Sequence, residues 1–214
     1  MDTSKTKSSP RNRIAAIKHV LIAAQEDAER ISKSSLHRMP EFFMAVRVAD
    51  YFASQFRNFG YRLEPQVKRT FQRADLRHSD LEQLLSDKEI RPNGRFDLVL
   101  LTGKKGRPAH IMEFKRGTKV EPLIKDAKRL AKVCTHAGEE RLKTNYLVFT
   151  RRFSSAGERE EIDDTAIKLA LDAFTDVRCR IECTPPLGSF LDKDHQPKPG
   201  VKFQAVIVEI SSVD

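Results

Sequence analysis

Two short apolar runs carry isolated charges: Arg95–Phe96–Asp97–Leu98–Val99–Leu100–Leu101 and Ala109–His110–Ile111–Met112–Glu113–Phe114–Lys115. Between them lies Gly103–Lys104–Lys105–Gly106, a turn sequence suited to closing an antiparallel hairpin. Strand alternation puts Arg95, Asp97 and Val99 on one face, and Ala109, Ile111, Glu113 and Lys115 on one face of the second run. A hairpin symmetric about Lys105 sets Asp97 opposite Glu113, whereas a slip of one residue would face Asp97 with Met112 and dissolve the pairing.

Facing carboxylates repel unless something compensates them. A hard divalent cation does so, taking one oxygen each from Asp97 and Glu113, with the Phe114 carbonyl and waters completing the set. Mg²⁺ is expected, with Mn²⁺ able to substitute, because the implied donors are all oxygens and no Cys/His set accompanies them. Beside a phosphate, such an ion polarises a phosphoryl oxygen, acidifies an attacking water and steadies the leaving oxygen. Lys115 points into the same pocket as a cation for the developing charge, not as a base, since neighbouring carboxylates favour its protonated form. The plainer alternative is the wet face of an edge hairpin.

The elements that must position these groups follow from periodicity. An amphipathic helix is expected from Asn12 to Arg30, and a second over 41–57 behind Pro40, with Phe42, Ala45, Val46, Ala49, Phe52, Ala53 and Phe56 as its core stripe and Gly60 as its stop. Residues 61–72 read as a long or bent strand, 75–86 as a short helix, 121–136 as a helix, and 145–150 as a strand parallel to the second hairpin strand. A helix over 160–174 and strands at 177–183 and 201–210 complete the set, with a long loop between the last two. The result is an α/β fold: a mixed central sheet flanked by helices. Its organisation reads as a basic tail (1–10), an N-terminal helical extension (11–38) and one domain (39–214).

With Gly94–Arg95–Phe96–Asp97 followed after a hairpin by Glu113–Phe114–Lys115, the chain resembles the PD-(D/E)XK nuclease superfamily, whose fold is restriction-endonuclease-like. The resemblance covers residues 40–150, where a helix, a three-stranded meander, a helix and a strand follow in the family's order; 75–86 is inserted. It implies Asp97 and Glu113 as metal-binding acids, Lys115 as the motif lysine, and metal-dependent hydrolysis of nucleic-acid phosphodiesters leaving a 5′-phosphate. DNA is expected over RNA and endonuclease action is favoured. Phe96 stands where the motif name has Pro. Glu41 matches the further acid that the first core helix often donates, with Asp50 as the fallback; a first-turn acid against a helix dipole explains Glu41 equally. A Gln and a Tyr found along the helix after the motif in the RecB-like branch are missing here.

The charge distribution fits a polyanionic partner. The chain has net charge +9, and residues 61–120 hold 14 basic against 8 acidic residues, whereas residues 181–214 hold 3 against 5. Arg95, Arg116, Lys119, Lys125, Lys128 and Lys132 are the expected phosphate contacts, although the last three also suit the solvated side of a helix. Three cysteines make no disulfide framework, and no stretch is long and apolar enough for a membrane span, so a cytoplasmic protein is expected. Cys179 and Cys183 share a strand face without a histidine pattern to support a metal. The N-terminal helix offers a route to a homodimer or a protein partner. The rival to a nuclease is a catalytically silent nucleic-acid-binding or assembly protein of the same fold; a phosphodiesterase of small nucleotides is a third possibility.

Overall fold

The computed structural model describes residues 8–117, 119–137, 141–153 and 158–213. Most of the expected basic tail, residues 1–7, lies outside them.

The helix α1 (Pro10–Ser32) starts where Ser9 accepts a hydrogen bond from the Asn12 amide and Pro10 takes a first-turn position that needs no N–H. It ends at Lys33, which adopts the left-handed conformation and returns its N–H to the Ala28 and Glu29 carbonyls. A 3₁₀ turn at Leu36–Arg38 leads to α2 (Glu41–Gln55). The α2 stripe is rotated from the expected one: Met44, Ala45, Val48, Ala49 and Phe52 are buried, whereas Phe42 is exposed. Gly60 does not stop this helix. The chain turns extended at Phe56, and Gly60 sits inside β1 (Phe59–Leu63).

The expected long strand over 61–72 is a strand followed by a helix. Glu64 takes a positive φ of 48°, Pro65 follows, and α3 (Val67–Arg73) begins. Val67, Thr70 and Phe71 are buried, the three- and four-residue spacing of a helix rather than the alternation of a strand. After α4 (His78–Ser86), the hairpin strands are β2 (Leu98–Thr102) and β3 (Arg107–Arg116). Regular pairing starts only at Leu98, so the alternation expected from Arg95 fails upstream. Phe96 packs with Phe71 and Val99 on one side of the sheet, while Leu98 and Leu100 face the other.

Next come α5 (Val120–Thr135), β4 (Thr144–Phe153), α6 (Glu158–Leu171), β5 (Val177–Cys183), β6 (Gly188–Leu191) and β7 (Pro197–Ser212). The expected loop before β7 is therefore a hairpin. Its turn is built by Asp192, whose Oδ1 accepts the Asp194 and Gln196 amides. The seven strands form one mixed sheet in the order β1-β2-β3-β4-β7-β5, with β6 also on β7. β3 and β4 run parallel, with α5 as the crossover between them.

Two apolar clusters fill the two faces. One combines α1 and α2 with Leu98, Leu100, Met112, Phe114, Tyr146, Val148 and Ile207; the other sets α3, α4, α5 and α6 against Val99, Ile111, Leu147, Phe149 and Val208. The N-terminal helix thus closes one face of the sheet. Among the described residues, no helix is long and apolar enough to cross a membrane.

Candidate active site

Register decides whether the motif residues meet. Leu98 pairs with Met112, Val99 with Ile111 and Leu100 with His110, a pairing centred on Lys105. A bulge then shifts the turn end, so that Leu101 faces Pro108. Asp97, the residue before β2, therefore lies beside the Glu113–Phe114 segment, and its Oδ2 accepts the Phe114 amide at 2.6 Å.

Lys115 lies at the focus of three carboxylates. Its Nζ is 3.3 Å from Asp126 Oδ2, 3.7 Å from Glu41 Oε2 and 3.9 Å from Asp97 Oδ2, and it donates to the Phe114 carbonyl at 2.9 Å. Burial alone would lower its pKa, but Asp126, Asp97, Glu41 and Glu113 outweigh that and hold it above the ordinary lysine value. Lys115 is accordingly a cation in this site. Glu41 stands on the first turn of α2, where its Oε1 accepts the Arg116 amide at 2.9 Å, so this acid joins α2 to the end of β3. Asp50 is elsewhere: it accepts the Tyr61 hydroxyl at 2.6 Å, in the second half of α2, and is no substitute for Glu41.

Glu113 is buried and faces α5. Its Oε1 receives Arg129 Nη1 at 2.6 Å. Arg129 is fully buried, donates to the Ile90 carbonyl at 3.0 Å and lies with its guanidinium carbon 4.3 Å from the Phe96 ring centroid. Burial pushes the Glu113 carboxyl up to about 8, against the downward pull of Arg129.

Asp126, Arg129 and Arg91 were not foreseen as part of the site. Asp126 is buried and pairs with both Arg91 and Lys115. The signal was present in α5: Asp126 falls in the inward phase set by Leu123, Ala127 and Leu130, and a charge in an apolar stripe needs a partner. Arg129 stands one turn further along.

The remaining expected cations are dispersed. Lys115, Lys125 and Lys128 line a groove of about 680 Å³ with Lys88 and Arg91. Arg95 donates to the Glu64 carbonyl and joins Arg62, Arg69 and Arg73 around a second groove beside β1 and α3. Arg116 and Lys119 are exposed. Lys132 is paired with Asp87 and Glu89, which removes it from the expected phosphate ridge. Cys134, Cys179 and Cys183 are free thiols.

Among the described residues, no group of three His, Cys, Asp or Glu side chains is placed to hold a metal ion. The donor set nevertheless has the right chemistry for a hard cation: Asp97, Glu41, Asp126 and the Phe114 carbonyl all face one point, and Lys115 Nζ occupies it. Arg91 is a second cation on this cluster through its pair with Asp126. No protein-family model matches the sequence, and comparison with curated proteins and with solved structures returned no match.

Proposed function

We propose that the protein is a Mg²⁺-dependent nuclease of restriction-endonuclease-like fold, acting on DNA in preference to RNA and cutting internally. The observation that carries the reading is the convergence of Asp97, Glu41 and Asp126 on Lys115, at the carboxyl end of β3 and beside a groove lined by lysines. The order α2, β1, β2, β3, α5, β4, with α3 and α4 inserted, supports the resemblance to the PD-(D/E)XK superfamily.

Asp97, Glu41, Asp126 and the Phe114 carbonyl would hold the cation, whereas the expected ligand Glu113 is engaged by Arg129. When bound, the ion supplies Lewis-acid activation of the phosphate and of the attacking water. Lys115 neutralises charge gathering on the phosphoryl oxygens as water bonds to phosphorus and the ester oxygen departs with a proton. Arg91, Lys125 and Lys128 bind the phosphate backbone and position it without reading bases. Arg129 keeps Glu113 in place from behind.

The test is cleavage of plasmid, linear duplex, single-stranded DNA and RNA, with and without Mg²⁺ or Mn²⁺. Asp97→Ala and Lys115→Ala are each expected to lower the rate by about 100-fold or more. Metal-independent cleavage that survives both substitutions would refute the reading. One observation favours a second reading, a silent nucleic-acid-binding protein: Glu113 is sealed against Arg129. That reading predicts DNA binding without cleavage and no thermal stabilisation by Mg²⁺ or Mn²⁺, whereas a working site gains stability from the ion and loses that gain in Asp97→Ala.

A further inference from the structure

On the α1–α2 side of the sheet, at the carboxyl ends of the parallel strands β3 and β4, lies a separate pocket of about 440 Å³. This end of a parallel pair is where open α/β sheets receive ligands. His37, Arg38, Arg116, Thr150, Arg151 and His195 are among its lining residues, and among the described residues no Asp or Glu lines it.

The cations differ in what they already hold. Arg151 is paired with Asp164. His37 is engaged by Ser35 and by the Leu191 backbone, and burial lowers its pKa, leaving it a neutral wall. Arg38 and Arg116 donate to neutral carbonyls, of Lys193 and Arg38 respectively, and among the described residues neither pairs with a carboxylate. Two guanidinium groups without a carboxylate ion pair therefore border the pocket, and Asp192 is the acid whose charge reaches Arg38.

Thr150 supplies the second observation. It is 1% exposed, and its Oγ1 is a buried polar atom with no hydrogen-bond partner. A buried hydroxyl left unsatisfied costs free energy, and proteins keep few of them without a use. Thr150 is the register partner of Arg116 across the parallel pair, so both side chains leave the same face of the sheet. One hydroxyl donor beside two arginine forks suits a tetrahedral dianion, which accepts on several oxygens at once.

We infer that this pocket binds a terminal phosphate monoester of a nucleotide chain. The dianion matches two guanidinium groups that hold no carboxylate ion pair better than the single charge of an internal phosphodiester, and the volume admits a nucleotide as well as its phosphate. Arg116 links the pocket to the candidate active site, because its amide holds Glu41 while its side chain borders the pocket. A strand end seated here would set the bond offered for cleavage by counting from that end. The nucleotide chain in this inference rests on the nuclease reading; the phosphate chemistry does not.

The experiment measures binding of short single strands to the full chain carrying Asp97→Ala, which leaves the ligand uncut. Oligonucleotides bear a 5′-phosphate, a 3′-phosphate or hydroxyls at both ends, and inorganic phosphate is the competitor. One phosphorylated end is expected to bind about tenfold tighter than the hydroxyl form. Thr150→Val and Arg38→Gln should each remove most of that preference. Thr150→Val should do so without loss of urea stability, because it deletes an unsatisfied hydroxyl at nearly constant volume. Equal binding of all three oligonucleotides overturns the inference, as does a Thr150→Val protein that keeps the preference. Phosphate-end binding by a protein whose metal-supplied wild type cuts no strand would overturn the nuclease reading and leave the pocket standing.

Discussion

Two buried polar networks occupy opposite faces of the same sheet, and they are built to different ends. On the α1 side, Arg13 Nε donates to the Tyr146 hydroxyl at 2.7 Å, and that hydroxyl donates to Glu209 Oε2 at 3.1 Å. One cation, one phenol and one carboxylate balance, and all three residues are buried. On the α5 side, Lys115 faces three carboxylates, and the cluster opens onto a lysine-lined groove. The first network is saturated by its own members and specifies packing. The second gathers Asp97, Glu41 and Asp126 around Lys115, with Arg91 as a further cation on Asp126, and it differs in lying beside a groove open to solvent.

The sharpest way to break the contrast is to remove a cation from the α5 side. Arg129→Met strands Glu113 as a buried acid without its partner and is expected to cost about 3–5 kcal/mol in urea unfolding. The double variant with Glu113→Gln should recover part of the loss, and failure to recover would mean that Arg129 acts through packing alone. Lys115→Met is expected to cost less, about 2 kcal/mol, because its site is partly solvated. Millimolar Mg²⁺ should restore stability to that variant more than to wild type, measured as a shift in melting temperature.

Tyr146→Phe addresses the balanced network. It loses two hydrogen bonds of a closed triad, about 1–2 kcal/mol, and Mg²⁺ should not change that figure. The smallest effect is one of pH. His110 Nδ1 donates to the Thr144 carbonyl, and burial followed by the nearby Arg13 charge pushes its pKa down to about 3. The unfolded ring takes a proton below about 6.5 while the folded one refuses it, so its contribution to stability declines as pH falls from 7 towards 3. Between pH 7 and 6, wild type should lose about 0.7 kcal/mol more than His110→Phe.

The part of this design that was legible in the sequence is the part written in local periodicity. The hairpin about Lys105 set the register of Leu98 and Met112, and α5 and β4 followed from their own apolar patterns. Errors arose where tertiary packing overrode a short pattern. Seven residues from Val67 to Arg73 suit a strand or a helix until Glu64 and Pro65 break the chain before them. Phe42 matched the α2 stripe, yet the helix turns it to solvent while Met44, Ala45 and Val48 are buried. The neighbours of Lys115 were the hardest to foresee. Asp97 and Glu113 come from strands joined by a turn, whereas Asp126 and Arg129 reach the site through the α5 crossover, and no nearby spacing announces that meeting. In the same way, Lys132 read as a free cation because Asp87 and Glu89 lie more than 40 residues away along the chain.

β7 pairs with β4, β5 and β6 and so lies inside the sheet, although it is the last strand of the chain. A ribosome finishes β4 long before it makes β7. During that interval the nascent sheet shows a long unpaired edge of Tyr146, Leu147, Val148 and Phe149. Cover for the β4 edge therefore waits on a late strand, and the half-made chain is the form most prone to aggregate during synthesis.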